Sequence, residues 1–252
     1  MSNARTIVLT ALADLSSGDI TAVDRWLAPG YIQHHPAIPD GPEGVRAMMA
    51  TLGAPIRHDV HRVITDGDTV AVHGTYYGIG PAPMVSFDVL RVDADGKLAE
   101  HWDAQQPKSD QTVSGRTETD GPTEVTDLDR TEANRKLVTT FVEGILLGGA
   151  GNVTDYLSTA EYHQHNPYIA DGLDGLAAGL ATLAEQGRTA SYTTLHKVIA
   201  EGNFVLTMAE GTFGATRTAF YDLFRLRDGK IVEHWDVLFD IPATLAHHNG
   251  IF

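Results

Sequence analysis

The chain contains no cysteine. Disulfides, thiolate metal sites and a cysteine nucleophile are therefore excluded. Positive charge is scarce too: 18 Lys and Arg stand against 33 Asp and Glu, a formal net charge of −15. A phosphate backbone needs clustered cations, which argues against nucleic acid as a partner, and the acidity itself reads as solubility. No apolar run is sustained enough for a bilayer span, so no membrane partner is expected. The lack of an apolar signal segment points to the cytosol. A Gly-rich dinucleotide loop, a phosphate loop, Gly-x-Ser-x-Gly, His-x-x-x-His and His-Glu-x-x-His are all missing, and neighbouring His34-His35 or His247-His248 point apart on regular backbone. The expectation is chemistry without metal or cofactor.

What is present occurs twice. Gly96-Lys97-Leu98-Ala99-Glu100-His101-Trp102-Asp103 returns as Gly229-Lys230-Ile231-Val232-Glu233-His234-Trp235-Asp236. Upstream, Tyr31-Ile32-Gln33-His34-His35-Pro36 returns as Tyr162-His163-Gln164-His165-Asn166-Pro167, each running on to Asp-Gly at Asp40-Gly41 and Asp171-Gly172. His61-Arg62-Val63-Ile64 returns as His196-Lys197-Val198-Ile199, and Phe87-Asp88 as Tyr221-Asp222. Landmarks repeated in one order define a tandem duplication. Copies of about 120 residues fall near the usual domain size. The expected division is a first copy over 1–107, a polar linker over 108–129, rich in Ser, Thr, Asp, Glu and Gly, and a second copy over 130–252.

Within each copy the texture changes once. Ile7, Val8, Ala11, Leu12 and Leu15 mark one face of a helix, Ile20 to Leu27 a second short one, and Pro42 with Glu43 the start of a third. The segment holding His34 reads as a loop or short extended piece. Four strands follow, over 60–64, 69–77, 84–92 and 97–104. The second copy repeats this with helices over 131–147, 153–157 and 173–183 and four strands from Tyr192 to Leu238. The fold class is α+β: two tandem cone-shaped barrels, each with three helices packed in the concave face of a curved antiparallel sheet, where a pocket would lie.

Taken together, Gln-His-(His/Asn)-Pro, the Asp-Gly before the third helix, His-(Arg/Lys)-Val-Ile and Asp-Gly-Lys-x-x-Glu-His-Trp-Asp resemble the SnoaL-like polyketide cyclases of the nuclear transport factor two-like superfamily. The resemblance covers nearly everything but the linker. It implies a cofactor-free aldol cyclisation or related enolate reaction on a polyketide-like small molecule. An aspartate would remove a proton beside a carbonyl. It also implies pairing through the sheets, so a tandem chain is expected to form its own pseudo-dimer, with further homo-oligomers open. Dehydration, isomerisation, epoxide opening or simple binding of a small molecule would use the same pocket.

Strand pairing decides which polar residues share that pocket. Asp228-Gly229 is a strong two-residue hairpin signal, and Arg227 opposite Lys230 sets Phe224 opposite Glu233 and Asp222 opposite Trp235. Asp222 and Glu233 then face inward beside Trp235, as do Asp88 and Glu100 beside Trp102 in the first copy. A register slipped by one residue instead turns His234 and Asp236 inward, or His101 and Asp103. Asp222, Asp236, Asp88 and Asp103 are the acid/base candidates; His165 and His34 are candidate donors at the pocket mouth, with Asn166 and His35 beside them. His73, matched by Met208, would line one copy alone.

Overall fold

The structure is a computed structural model that describes residues 4–109 and 111–252. Its described residues fall into two compact units: one runs to Pro107 and includes Ile241–Phe252, and the other is Lys108–Asp240. This division departs from the sequence reading at both ends. The expected linker groups with the second copy, and the end of the chain groups with the first. Its polar groups are not idle: Ser109 N donates to the buried Glu118 at 2.6 Å, Val113 N to Pro167 O at 3.0 Å, and Arg116 pairs with Asp171 at 2.8 Å. Composition marks a segment that lacks a core of its own, and here that segment is tied to the second unit by hydrogen bonds and an ion pair.

In the first unit, helix α1 (Ala4–Ser16), the short α2 (Ala22–Trp26) and α3 (Gly41–Leu52) accompany strands β1 (Leu27–Gln33), β2 (Arg57–Asp66), β3 (Thr69–Tyr77), β4 (Met84–Val92) and β5 (Leu98–Pro107). The sheet order is β1-β5-β4-β3-β2, with β2 to β5 an antiparallel meander and β1 parallel to β5. The parallel strand β1 runs into the segment holding His34, which reads from sequence as a loop or short extended piece. Its Pro29-Gly30 pair masks a strand. Val8, Ala11 and Leu12 of α1 and Val45 and Met49 of α3 pack on Val70, Val72, Leu90 and Leu98, building the core against one face of the sheet.

The second unit repeats the plan with α4 (Thr131–Phe141), continued by a π-helical turn over Val142–Leu147, a single 3-10 turn at Val153–Asp155 where a short helix was expected, and α5 (Gly172–Glu185). Its strands are β6 (His163–Gln164), β7 (Ala190–Glu201), β8 (Phe204–Phe213), β9 (Thr216–Arg227) and β10 (Lys230–Asp240), ordered β6-β10-β9-β8-β7. Val138, Phe141 and Val142 meet Val205, Phe224, Leu226 and Ile231 in its core. The β9–β10 turn has Asp228 and Gly229 both at positive φ, 52° and 72°, as a two-residue hairpin of this twist demands.

Register is where the sequence reading is corrected. Arg227 does pair with Lys230 and Leu226 with Ile231, but Val232 is then bulged out, and Arg225 faces Glu233, Phe224 faces His234 and Asp222 faces Asp236. The first copy has its bulge at the same motif position: Val92 pairs with Leu98, Arg91 with Glu100, and Ala99 is the extra residue. One inserted residue exchanges the two faces of everything beyond it.

Candidate active site

The bulge brings a His and two Asp onto one wall in each copy. Asp88 and Asp103 are cross-strand partners on β4 and β5, and His101 stands two residues before Asp103 on the same face. All three line a cavity of about 880 Å³, counting its open mouth, with Tyr31, Gln33, Tyr76 and Gln105 and an apolar remainder from α1 and α3. The equivalent trio is Asp222, His234 and Asp236. In each trio one nitrogen or oxygen per residue lies within 4.8 Å of the others, close enough to hold a divalent cation, although each His nitrogen facing the first Asp is engaged by it.

Hydrogen bonds fix the protonation of the histidine. Gln33 Oε1 accepts from the backbone N–H of His34 at 3.0 Å and of His35 at 2.9 Å, which orients the amide and leaves Oε1 to accept from His101 Nδ1 at 3.2 Å. Its Nε2 donates to the Tyr31 hydroxyl at 3.2 Å. An amide oxygen can only accept, so Nδ1 carries a proton, and Nε2 faces Asp88 Oδ1 at 3.2 Å. Burial disfavours a charged His101, but the Asp88 hydrogen bond and the charges of Asp103 and Asp88 outweigh it, and the ring's pKa is raised. Burial likewise disfavours the Asp88 carboxylate, yet His101, helped by His58 and Ser86, lowers its pKa. Both directions favour an imidazolium facing a carboxylate.

The second copy reproduces this framework: Gln164 Oε1 accepts from His165 N, Asn166 N and His234 Nδ1 at 3.1, 3.2 and 3.0 Å, and His234 Nε2 faces Asp222 Oδ1 at 3.1 Å. His234 is raised in the same way, against its burial, by Asp222 and Asp236. Asp236 is pushed up, first by burial and then by the charge of Asp222, against His234 and the Asn166 amide that donates to it at 2.7 Å. Buried Tyr31, Tyr76 and Tyr162 and half-buried Tyr192 are all raised, primarily by loss of solvent around the hydroxyl and then by the nearby aspartates, so they remain protonated donors.

Several expected site residues lie on the other face. His34 stacks on Trp102, centroids 4.9 Å apart and planes at 11°, with Nε2 at 3.1 Å from Glu100, which also pairs with Arg91 at 3.0 Å. His165 stacks on Trp235 at 4.5 Å and 16°, 2.8 Å from Glu233, which pairs with Arg225 at 2.7 Å. Glu100, Trp102, Glu233 and Trp235 are thus turned by the bulge to the sheet face opposite the trios, and His34 and His165 join them there as packing clusters. His73 also faces away, stacked on Phe87 at 4.4 Å with Nδ1 at 3.1 Å from Arg62. His35 and Asn166 do reach the site: His35 Nε2 is 3.9 Å from Asp103, and Asn166 bonds Asp236.

The sequence reading missed Gln33 and Gln164, although both sit inside the repeated Tyr-x-Gln-His motif and were the signal available. It also missed Tyr31, which opens that same motif, and Tyr76, Tyr192, Ser86 and Gln105, whose positions carry no repeated pattern. Gln105 Nε2 donates to Asp103 Oδ2 at 2.8 Å, and Asp103 Oδ1 is buried with no hydrogen-bond partner among the described residues. A carboxylate oxygen so placed on a cavity wall is available to a substrate proton.

A profile described as SnoaL-like domain matches residues 8–101 and again residues 138–234. No curated protein matches the chain. Similar solved structures include wild-type IdmH, a candidate polyketide cyclase from Streptomyces antibioticus, at 20% identity over 41% of this chain and 92% of that one, with a TM-score of 0.35. A steroid delta-isomerase from Pseudomonas aeruginosa matches at 20% identity, 46% and 84% coverage and a TM-score of 0.36. An LEH-like epoxide hydrolase of Mycobacterium tuberculosis matches at 21%, 41% and 82%, with a TM-score of 0.35.

Proposed function

The chain belongs to the SnoaL-like family and carries its domain twice, and on that premise we propose that it is an acid/base enzyme that forms and redirects enolates of a small polyketide-like carbonyl compound. The observation that carries this reading is Asp103 Oδ1, buried on the cavity wall with no hydrogen-bond partner among the described residues, beside the His101 ring held by Gln33 and Asp88. Asp103 takes a proton from carbon next to a substrate carbonyl, and the electron pair moves onto the carbonyl oxygen. The Tyr31 hydroxyl, which accepts from Gln33 and keeps its own proton to donate, and the positive His101 ring stabilise that oxyanion. The enolate carbon then bonds to a second carbonyl carbon of the same molecule, whose oxygen recovers the proton from Asp103. Nothing is oxidised or reduced, and the proton count closes.

A cavity with an apolar floor of Leu12, Leu15, Val45, Met48 and Met49 and polar groups at one wall suits a ring-forming substrate with oxygens along one edge. Dehydration, double-bond isomerisation and epoxide opening call on the same groups, and product analysis separates them. The first test is deuterium exchange at the α-carbon of a panel of 1,3-diketones in D2O, followed by proton NMR. The wild type is expected to accelerate exchange, Asp103→Asn combined with Asp236→Asn to lose on the order of a hundredfold or more, and EDTA to change nothing. Exchange at the buffer rate, or exchange untouched by Asp103→Asn combined with Asp236→Asn, overturns the reading; loss on EDTA treatment would move the trio to a metal role.

A further inference from the structure

The rung next to the carboxylates differs completely between the copies. Beside the Asp88–Asp103 pair, the cross-strand neighbours are Ser86 and Gln105; beside Asp222–Asp236 they are Phe220 and Leu238. In the first copy these neighbours donate, Ser86 Oγ to Asp88 at 3.2 Å and Gln105 Nε2 to Asp103 at 2.8 Å, alongside the Tyr76 hydroxyl that also bonds Asp88. Their apolar replacements cannot donate. Yet Asp222 and Asp236 are still supplied, by Tyr192 OH at 3.1 Å from β7 and by Asn166 Nδ2 at 2.7 Å from the segment after β6. The Tyr192 ring lies on Phe220, centroids 4.2 Å apart and planes at 27°, and both Tyr192 and Leu238 are half-buried.

Retention of the trio, with a tyrosine hydroxyl on its first Asp in both copies, beside a rung that is polar in one and apolar in the other, means that the acid/base group is kept while its surroundings change. We infer that the two copies are two sites of different ligand preference: the first takes an oxygen-rich ring compound that hydrogen-bonds to Ser86 and Gln105, and the second a more apolar ring laid against Tyr192 and Leu238. This rests on the enolate reading for its chemistry but not for its selectivity. A site built to hydrogen-bond a hydroxyl discriminates against an analogue without one, because its polar groups are left unpaired, whereas an apolar wall is penalised by the extra hydroxyl.

Two planar probes of one skeleton test it, 2-naphthol and 2,7-naphthalenediol, titrated into protein with carbon-13-labelled histidine rings. The signals of His101 and His234 are assigned with His101→Gln and His234→Gln. The expected result is that 2-naphthol shifts His234 at the lower concentration and the diol shifts His101 first, each preference on the order of tenfold. The pair Phe220→Ser with Leu238→Gln should reverse the order at His234; the single Leu238→Gln, at a half-buried position, weakens it if the pair does not fold. The same order for both probes at both histidines, no binding of either, or no response to Leu238→Gln overturns the inference. Because these are binding titrations, a preference without deuterium exchange would sink the enzymatic reading alone, and exchange without a preference would sink this one alone.

Discussion

At the scale of single residues, burial separates two ion pairs that share one motif. Glu233 is 1% exposed and held by Arg225 and His165, whereas the Glu100 side chain is 18% exposed beside a more open Arg91. Removing one partner of a buried pair strands the other charge, at a cost of about 3–5 kcal/mol, while a half-exposed pair contributes about 1 kcal/mol or less. Glu233→Gln is therefore expected to lower the denaturation midpoint far more than Glu100→Gln, as urea titration would show. Asp236 gives a pH signature. Its folded pKa lies above 3.8, so the stability tied to its proton is complete below that value and is lost as pH rises through the folded pKa. Asp236→Asn, neutral at every pH, should gain on the wild type as pH rises through this window. Paired melts at pH 4 and pH 8 that show the same difference would contradict the assignment. His101 and His234 run alike: both are raised, so their contribution is complete below pH 6.5 and fades above it.

At the scale of elements, the bulge and the tight turns do the positioning. The β2–β3 and β7–β8 turns both place a glycine at positive φ, Gly67 at 63° and Gly202 at 58°. Around Gly67 a Cβ would meet open space, but at Gly202 it would lie 1.9 Å from Thr126 O. That contact belongs to the docked segment: Asn203 N donates to Thr126 O at 2.9 Å and Thr126 N to Asn203 Oδ1 at 2.9 Å. Gly67→Ala should cost about 1–2 kcal/mol for the left-handed backbone alone, and Gly202→Ala clearly more, with faster proteolysis within 111–126. Equal costs would mean that the segment is not seated. Elements themselves were legible from periodicity and turn residues, as the meander and α1, α3 and α5 show. β1 was not, because pairing with β5 depends on a strand far along the chain. Nor was the extra residue at Ala99 or Val232, since a small or β-branched apolar residue there fits a regular strand equally well.

At the scale of the whole molecule, the chain end is part of the first unit. Asn249 Nδ2 donates to Gln33 O and to Asp40 at 3.0 and 2.7 Å, Ala246 N to Pro36 O at 2.8 Å, and Gly250 O lies 3.0 Å from His34 Nδ1, with Ile241 and Ile251 buried. A chain ending at Asp240 loses these bonds, each worth about 1 kcal/mol, and two buried side chains at about 1.5–3 kcal/mol each. It should melt in two steps, with the first-unit signals, His101 among them, lost at the lower temperature. A single transition at the wild-type temperature would contradict that role. No helix among the described residues is long and apolar enough to cross a membrane.

The sequence by itself determined the duplication, the α+β class, the family resemblance, and the set from which the site is drawn, because repeats, periodicity and turn chemistry are local properties. Asp88, His101, Asp103, Asp222, His234, Asp236, His35 and Asn166 were all in that set. Tertiary structure decided which face each takes. Side chains alternate along a strand with a period of two, so one bulged residue placed His234 with Asp222 and sent Glu233 and Trp235 to the opposite side. It also decided what surrounds the trio, since Gln33, Tyr192 and the docked segments reach their partners across distances in sequence that no local pattern encodes.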